Sequence, residues 1–190
     1  MGPEHVGQQA VADHRRGERR LDRICRGTSG DGARGGGGVV VVRARERTEA
    51  AASTLPGPTD VLDLDVTQPE HFARAGDELE RRWGHLDGAL HGVAFAPRAA
   101  LAGGFLDADN DSVARAFATS TYSYSALAGL VSRLAPDEGA SLVGLDFDNT
   151  QAWPVYDWMG VAKSAFESTA RYLARDLGPT SKAMVLRNHG

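Results

Sequence analysis

The chain has 190 residues, a formal net charge of −4 and 42% hydrophobic residues, as expected of one domain with a sizeable core. That charge gives no reason to expect nucleic acid or an anionic membrane as a partner, and a single cysteine, Cys25, excludes an intrachain disulfide framework. With no apolar run of membrane-span length, no apolar signal-peptide middle and no histidines at ligand spacing, the expectation is a cytoplasmic protein without a metal site.

Residues 1–38 differ in character from the rest. They hold seven arginines but only Leu21 and Ile24 as large aliphatics besides two valines, and no aromatic, so neither helical nor strand periodicity can be fitted. Alone, such a segment is expected to be disordered. Its end, "CRGTSGDGARGGGGVVVV" (Cys25–Val42), has the look of a phosphate cradle but the wrong order. A dinucleotide fingerprint runs strand, glycines, helix; here the glycines come before the strand.

From Val39 onward the pattern becomes regular. "VVVVRA" reads as a strand, "RTEAAASTL" as a short helix and "DVLDLDV" (Asp60–Val66) as an alternating strand. "PEHFARAGDELERRWG" is an amphipathic helix with Pro69 in its first turn and Gly84 at its end. "LDGALHGVAF" (Leu86–Phe95) is the next strand, and a loop runs to about Asp109. A long helix, "DSVARAFATSTYSYSALAGLVSRLA", precedes the strand "GASLVGLDF" (Gly139–Phe147) and a second long helix, "YDWMGVAKSAFESTARYLARDL". "TSKAMVLRNHG" begins a further strand. Strands alternating with helices predict an α/β fold with a Rossmann-like, doubly wound parallel sheet. The domain reading is an irregular segment over 1–38 and a partial dinucleotide-binding domain over 39–190.

The residues that carry chemistry are Tyr156 and Lys163, two helical turns apart and so on one helix face. A nearby ammonium favours the phenolate, and the phenol can hydrogen-bond a developing enolate oxygen. The plainer alternative is an interfacial tyrosine with a solvated lysine. Lysine is nevertheless retained at 163 in a chain with 19 arginines and two lysines, and the two are not equivalent in a site. "DADND" (Asp107–Asp111) imitates a calcium loop, but Ser112 stands in place of the glycine and Ala118 in place of the bidentate acid. The aromatics of "TYSYSAL" read as helix packing.

The stretch "VGLDFDNTQAWPVYDWMGVAKSAFES" (Val143–Ser168) resembles the enoyl-acyl-carrier-protein reductases of actinobacterial type, within the short-chain dehydrogenase/reductase superfamily. The wider superfamily places lysine closer to the tyrosine and has an upstream serine. Here six residues separate Tyr156 from Lys163, and Val143 occupies the serine position, as in the enoyl reductases. "LDLDVTQPEHF", "LDGALHGVAFAP" and "STYSYSALAGL" are similar too, in the same order, so the resemblance runs from about Val39 to Gly178. It implies NADH as cofactor, an enoyl thioester on acyl carrier protein or CoA as substrate, and a homotetramer. By position, Tyr156 would hydrogen-bond the thioester carbonyl and Lys163 the nicotinamide ribose. Phe147 would form the floor beside nicotinamide and substrate, and Met159 would line the acyl pocket. Asp65 and Val66 would flank the adenine, and Gly92, Val93 and Ala94 would run along the cofactor. The family usually has serine and glycine where this chain has Gly92 and Ala94.

The same resemblance puts a first strand and phosphate loop where residues 8–38 stand. If the arginine and leucine codons begin with C, reading Gln8–Gly27 one base later permits "LLITGVVSDDSIAFAVA", a strand, phosphate loop and helix start. Residues 8–38 are therefore read as an out-of-frame segment, against the alternative of a divergent, disordered extension. The chain also ends before the family's last strands and substrate loop. Two other readings stay open: an inactive remnant of the fold, and a short-chain carbonyl reductase, against which the Tyr156–Lys163 spacing and the missing serine argue.

Overall fold

The structure is a computed structural model that describes residues 37–41, 45–54, 59–102, 104–178 and 183–189, the first and last of these as backbone. The reading of residues 8–36 lies outside these. In chain order the elements are β1 (Gly37–Val41), α1 (Arg45–Ala52), β2 (Thr59–Asp63), α2 (Pro69–Trp83), β3 (Gly88–His91), a short 3-10 turn (Arg98–Ala100), α3 (Asn110–Phe117), a π turn (Ala118–Tyr122), α4 (Ser123–Leu134), β4 (Ala140–Asp146), α5 (Asp157–Leu177) and β5 (Ala183–His189).

Every strand pairing is parallel, and strands alternate with helices as expected. β4 lies between β3 and β5, whereas β1 and β2 form a separate pair. A doubly wound sheet ordered 3-2-1-4-5-6 divides at this point when its first strand is taken away. β1 and β2 then occupy the second and third positions, and β3, β4 and β5 the fourth to sixth. Among the described residues no strand bridges β1 and β3. Parallel strands are normally buried on both faces, yet Leu90 of β3 is 42% exposed and no residue of β2 is fully buried.

Four strands differ from the sequence expectation at their ends: β3 is Gly88–His91 rather than Leu86–Phe95, and β4 is Ala140–Asp146 rather than Gly139–Phe147. β1 starts two residues early, at Gly37, because its register on β2 is a backbone match that glycine satisfies. β2 stops at Asp63 rather than Val66. Leu64 and Val66 keep the alternating pattern but leave the ladder to pack into a core with Phe72, Ala75 and Leu79 of α2 and Leu130 and Leu134 of α4.

α2 forms as its sequence dictates. Pro69 sits in the first turn, Phe72, Ala75, Gly76 and Leu79 make the buried stripe, and Gly84 ends the helix at φ 78° with its N–H on Glu80 O. Asp109 and Asp111 of "DADND" serve the start of α3. Asp109 is its N-cap, accepting from Ser112 N–H and Ser112 Oγ, each at 2.7 Å. A second core joins α4, β4 and α5 through Tyr124, Ala128, Val131, Leu142, Phe166 and Ala170. Among the described residues no helix is long and apolar enough to cross a membrane.

Candidate active site

Parallel strands aim their C-terminal ends at one edge of a sheet, where doubly wound folds bind ligands. The segment Gly92–Phe95 follows β3 at that edge, and Phe147 follows β4. The two apolar clusters there meet at the Gly92–Ala94 segment. Val93 packs against the cluster that includes Leu64 and Val66, just beyond the end of β2. Ala94, Phe147 and Trp158 pack against the cluster of Ala96, Ala100, Ala116 and Met159. The fold thus gathers Val66 and Val93 on one side, and Ala94, Phe147 and Met159 on the other.

Tyr156 immediately precedes α5, and its carbonyl accepts from Met159 N–H at 2.7 Å. Its ring lies 4.6 Å from the Phe147 ring, and the residue is 40% exposed. The phenol therefore stands on the rim of the apolar floor with access to solvent. Asp65, just beyond β2, closes a tight turn. Its Oδ1 accepts from Thr67 N–H and Thr67 Oγ1, and its own N–H donates to His71 Nδ1 at 3.1 Å.

Lys163 is not a solvated lysine. It is 4% exposed, donates from Nζ to Leu145 O at 2.7 Å, and sits 4.5 Å above the Phe166 ring. Burial pushes its ammonium below the usual lysine range, and the Asp146 carboxylate opposes that shift. A buried ammonium on one carbonyl has further donors to offer. The helix periodicity that brings Lys163 inward also brings Met159, Ala162, Phe166 and Ala170.

Sequence reasoning passed over His91, the last residue of β3. It is 2% exposed, its Nε2 lies 2.8 Å from Ser123 Oγ, and its Nδ1 is buried without a hydrogen-bond partner. Tyr124 and Phe166 pack against its ring. Burial first, and the charge of Lys163 second, push His91 down to about 3, so it is neutral near pH 7. The available signal was its place in "GALHGVAF", a lone polar residue at the end of an apolar strand.

A family model described as enoyl-(acyl carrier protein) reductase matches residues 23–183. The chain belongs to this family. The match extends upstream of Val39, where the motif resemblance begins. An enoyl-[acyl-carrier-protein] reductase [NADH] of Mycolicibacterium smegmatis is 39% identical over 131 residues, 67% of this chain and 48% of that protein. One from Rhizobium meliloti is 36% identical over 138 residues, 70% and 49% of the two chains. Another, from Rickettsia bellii, is 39% identical over 119 residues, 62% and 45%. The chain thus spans about half the length of the enoyl reductases it matches. With the family go the superfamily's Rossmann-like fold and an oxidoreductase lineage.

The residues at the strand ends suit part of a dinucleotide. Lys163 offers a buried ammonium, Phe147 and Met159 a flat apolar floor, and the segment after β3 a backbone edge. The phosphate-cradling turn of a doubly wound fold follows its first strand, and the residues before β1 lie outside the described part of the chain.

Proposed function

We propose that this lineage catalyses NADH-dependent reduction of trans-2-enoyl thioesters, carried on acyl carrier protein or CoA, in fatty-acid elongation. The observation that carries the reading is the apolar cluster of Met159, with Ala94 and Phe147 packed against it and the Tyr156 ring on Phe147, together with Lys163 buried on the same helix as Met159. NADH, when bound, would supply the hydride that reaches the β-carbon. Tyr156 would donate a hydrogen bond to the thioester oxygen as negative charge builds there, a contribution that grows from ground state to transition state. The aromatic face of Phe147 supports its ring at that rim. Lys163 would hold ribose hydroxyls, and Gly92–Ala94 would line the cofactor's edge. Asp65 and Val66 would flank the adenine, and Met159 would touch the acyl chain.

The exposed apolar residues Tyr122, in the turn before α4, and Val161 and Tyr172, on α5, suit an interface between copies, in keeping with a homotetramer in the cytoplasm. A second reading, a non-catalytic remnant, is favoured by the separation of β1–β2 from β3–β4–β5 among the described residues. Titration with NADH, followed by NADH oxidation with enoyl thioesters of graded length, separates the two. Saturable binding and turnover support the enzyme; neither in a folded chain supports the remnant.

A further inference from the structure

The helix running from α3 to α4 is interrupted where Ser123 N–H donates to Ala118 O, five residues back, so the turn carries an extra residue. The side chains of Ser120, Thr121 and Ser123 are all buried there, although hydroxyl residues are mostly exposed. Each one grips a different part of the candidate site. Ser120 Oγ accepts from Phe95 N–H at 2.9 Å and donates to Phe95 O at 3.0 Å. One hydroxyl thereby does for Phe95 what a neighbouring residue does in a hydrogen-bonded antiparallel pair, taking both the N–H and the carbonyl. Ser123 Oγ donates to Thr119 O at 2.6 Å. A carbonyl can only accept, so the single hydroxyl proton is used there, and Ser123 Oγ must accept from His91 Nε2–H. Thr121 Oγ1 donates to Ala162 O at 2.7 Å.

His91 and Phe95 bracket Gly92–Ala94, and Ala162 precedes Lys163. We propose that Ser120, Thr121 and Ser123 are positioning residues: the π turn is a clamp that holds both ends of the segment after β3 and sets it against the Lys163 turn of α5. The segment lies outside the β3–β4 ladder, which ends at the pair His91–Gly144, so side-chain hydroxyls take over where strand pairing stops. Without the extra residue, helix periodicity would turn at least one of the three hydroxyls away from its partner. What the segment binds rests on the proposed function; the clamp itself does not.

Amide hydrogen exchange of the full chain, read on peptides covering 92–96, 140–146 and 160–166, tests the clamp without any ligand. Ser120→Ala is expected to speed exchange in 92–96 by about tenfold or more, through the loss of both hydrogen bonds to Phe95 from local opening, while 140–146 keeps its parent rate. Thr121→Val is expected to speed 160–166 in the same way, and Thr121→Ser, which keeps the hydroxyl, to restore it. Parent rates in 92–96 for Ser120→Ala overturn the proposal. Acceleration of 140–146 in step also overturns it, being general destabilisation. If the parent binds NADH, Ser120→Ala should weaken binding by about tenfold, and unchanged affinity overturns the positioning role. A folded parent that binds no NADH, the outcome expected of the chain as translated, bears on the activity of this chain and not on the clamp, which exchange then decides alone.

Discussion

Val155 and Asp157, the neighbours of Tyr156, hold φ of 64° and 38°. Positive φ is a genuine outlier for a β-branched valine, and strain of this kind costs on the order of 1–3 kcal/mol per residue. It brackets the one phenol that stands on the apolar floor. In a chain that turns over, Tyr156→Phe should lower kcat by the equivalent of about 2.7–4 kcal/mol with little effect on NADH affinity, since the hydrogen bond strengthens only as the enolate forms. Steady-state kinetics beside calorimetry checks this, and unchanged turnover removes Tyr156 from the mechanism. Lys163→Ala should instead weaken NADH by about 1.5–3 kcal/mol, the range for a hydrogen bond to a charged group. Parent-like affinity would leave Lys163 with a packing role on Phe166 alone. His91 gives a prediction that needs no ligand. Its folded-state pKa, about 3, lies below the ordinary 6.5, so the unfolded chain binds more protons below pH 6.5 and stability falls as pH falls from there toward 3. Between pH 6.5 and 4.5 the loss from this one residue should reach about 2–3 kcal/mol. Denaturant unfolding across that window should show the slope in the parent and a flatter one in His91→Gln, which cannot titrate.

The elements whose signals are local were legible in the sequence. α2 could be read from Pro69, the Phe72–Ala75–Leu79 stripe and Gly84, and it forms with those ends. The long helices were legible as helices, but it was not legible that Tyr156 stands just outside α5 rather than on one face of it with Lys163, nor that Lys163 turns into the core. The end of β2 was not legible, because Leu64 and Val66 continue a strand pattern while α2 and α4 draw them into another core. Nor was the π turn. "ATSTYS" shows no break in composition, and the extra residue is fixed by partners distant in sequence, Phe95, His91 and Ala162. The junction of β4 with α5 makes a similar nonlocal demand. A Cβ on Gly144 would stand 2.3 Å from Phe166 Cζ and 3.2 Å from the Tyr124 ring, and both side chains are fully buried. Gly144→Ala should therefore destabilise the chain by about 1–3 kcal/mol through overpacking. A denaturation midpoint within error of the parent would mean that Phe166 has room to move.

At the scale of the molecule, the described strands fall into two groups. β1–β2 and β3–β4–β5 are joined through α2 and α4 rather than through a shared ladder, and a doubly wound fold needs its first strand between them, both for the sheet and for the phosphate turn. The sequence reading supplies a candidate for that strand. Gln8–Gly27 read one base later permits a strand, a glycine turn and a helix start, whereas residues 8–38 as translated offer arginines, glycines and few large apolar side chains. The prediction is that the chain as translated binds NADH poorly or not at all, with its exposed strand edges favouring aggregation. A chain with the shifted frame restored should gain affinity and solubility together, because one strand closes the sheet and presents helix N–H groups to the pyrophosphate. The nucleotide sequence gives the first check, since a stop codon in the shifted frame removes the idea. Calorimetry on the two chains gives the second. Micromolar NADH affinity in the chain as translated would mean that residues 8–38 form a working site, and the out-of-frame reading would have to be abandoned in favour of a divergent N-terminal segment.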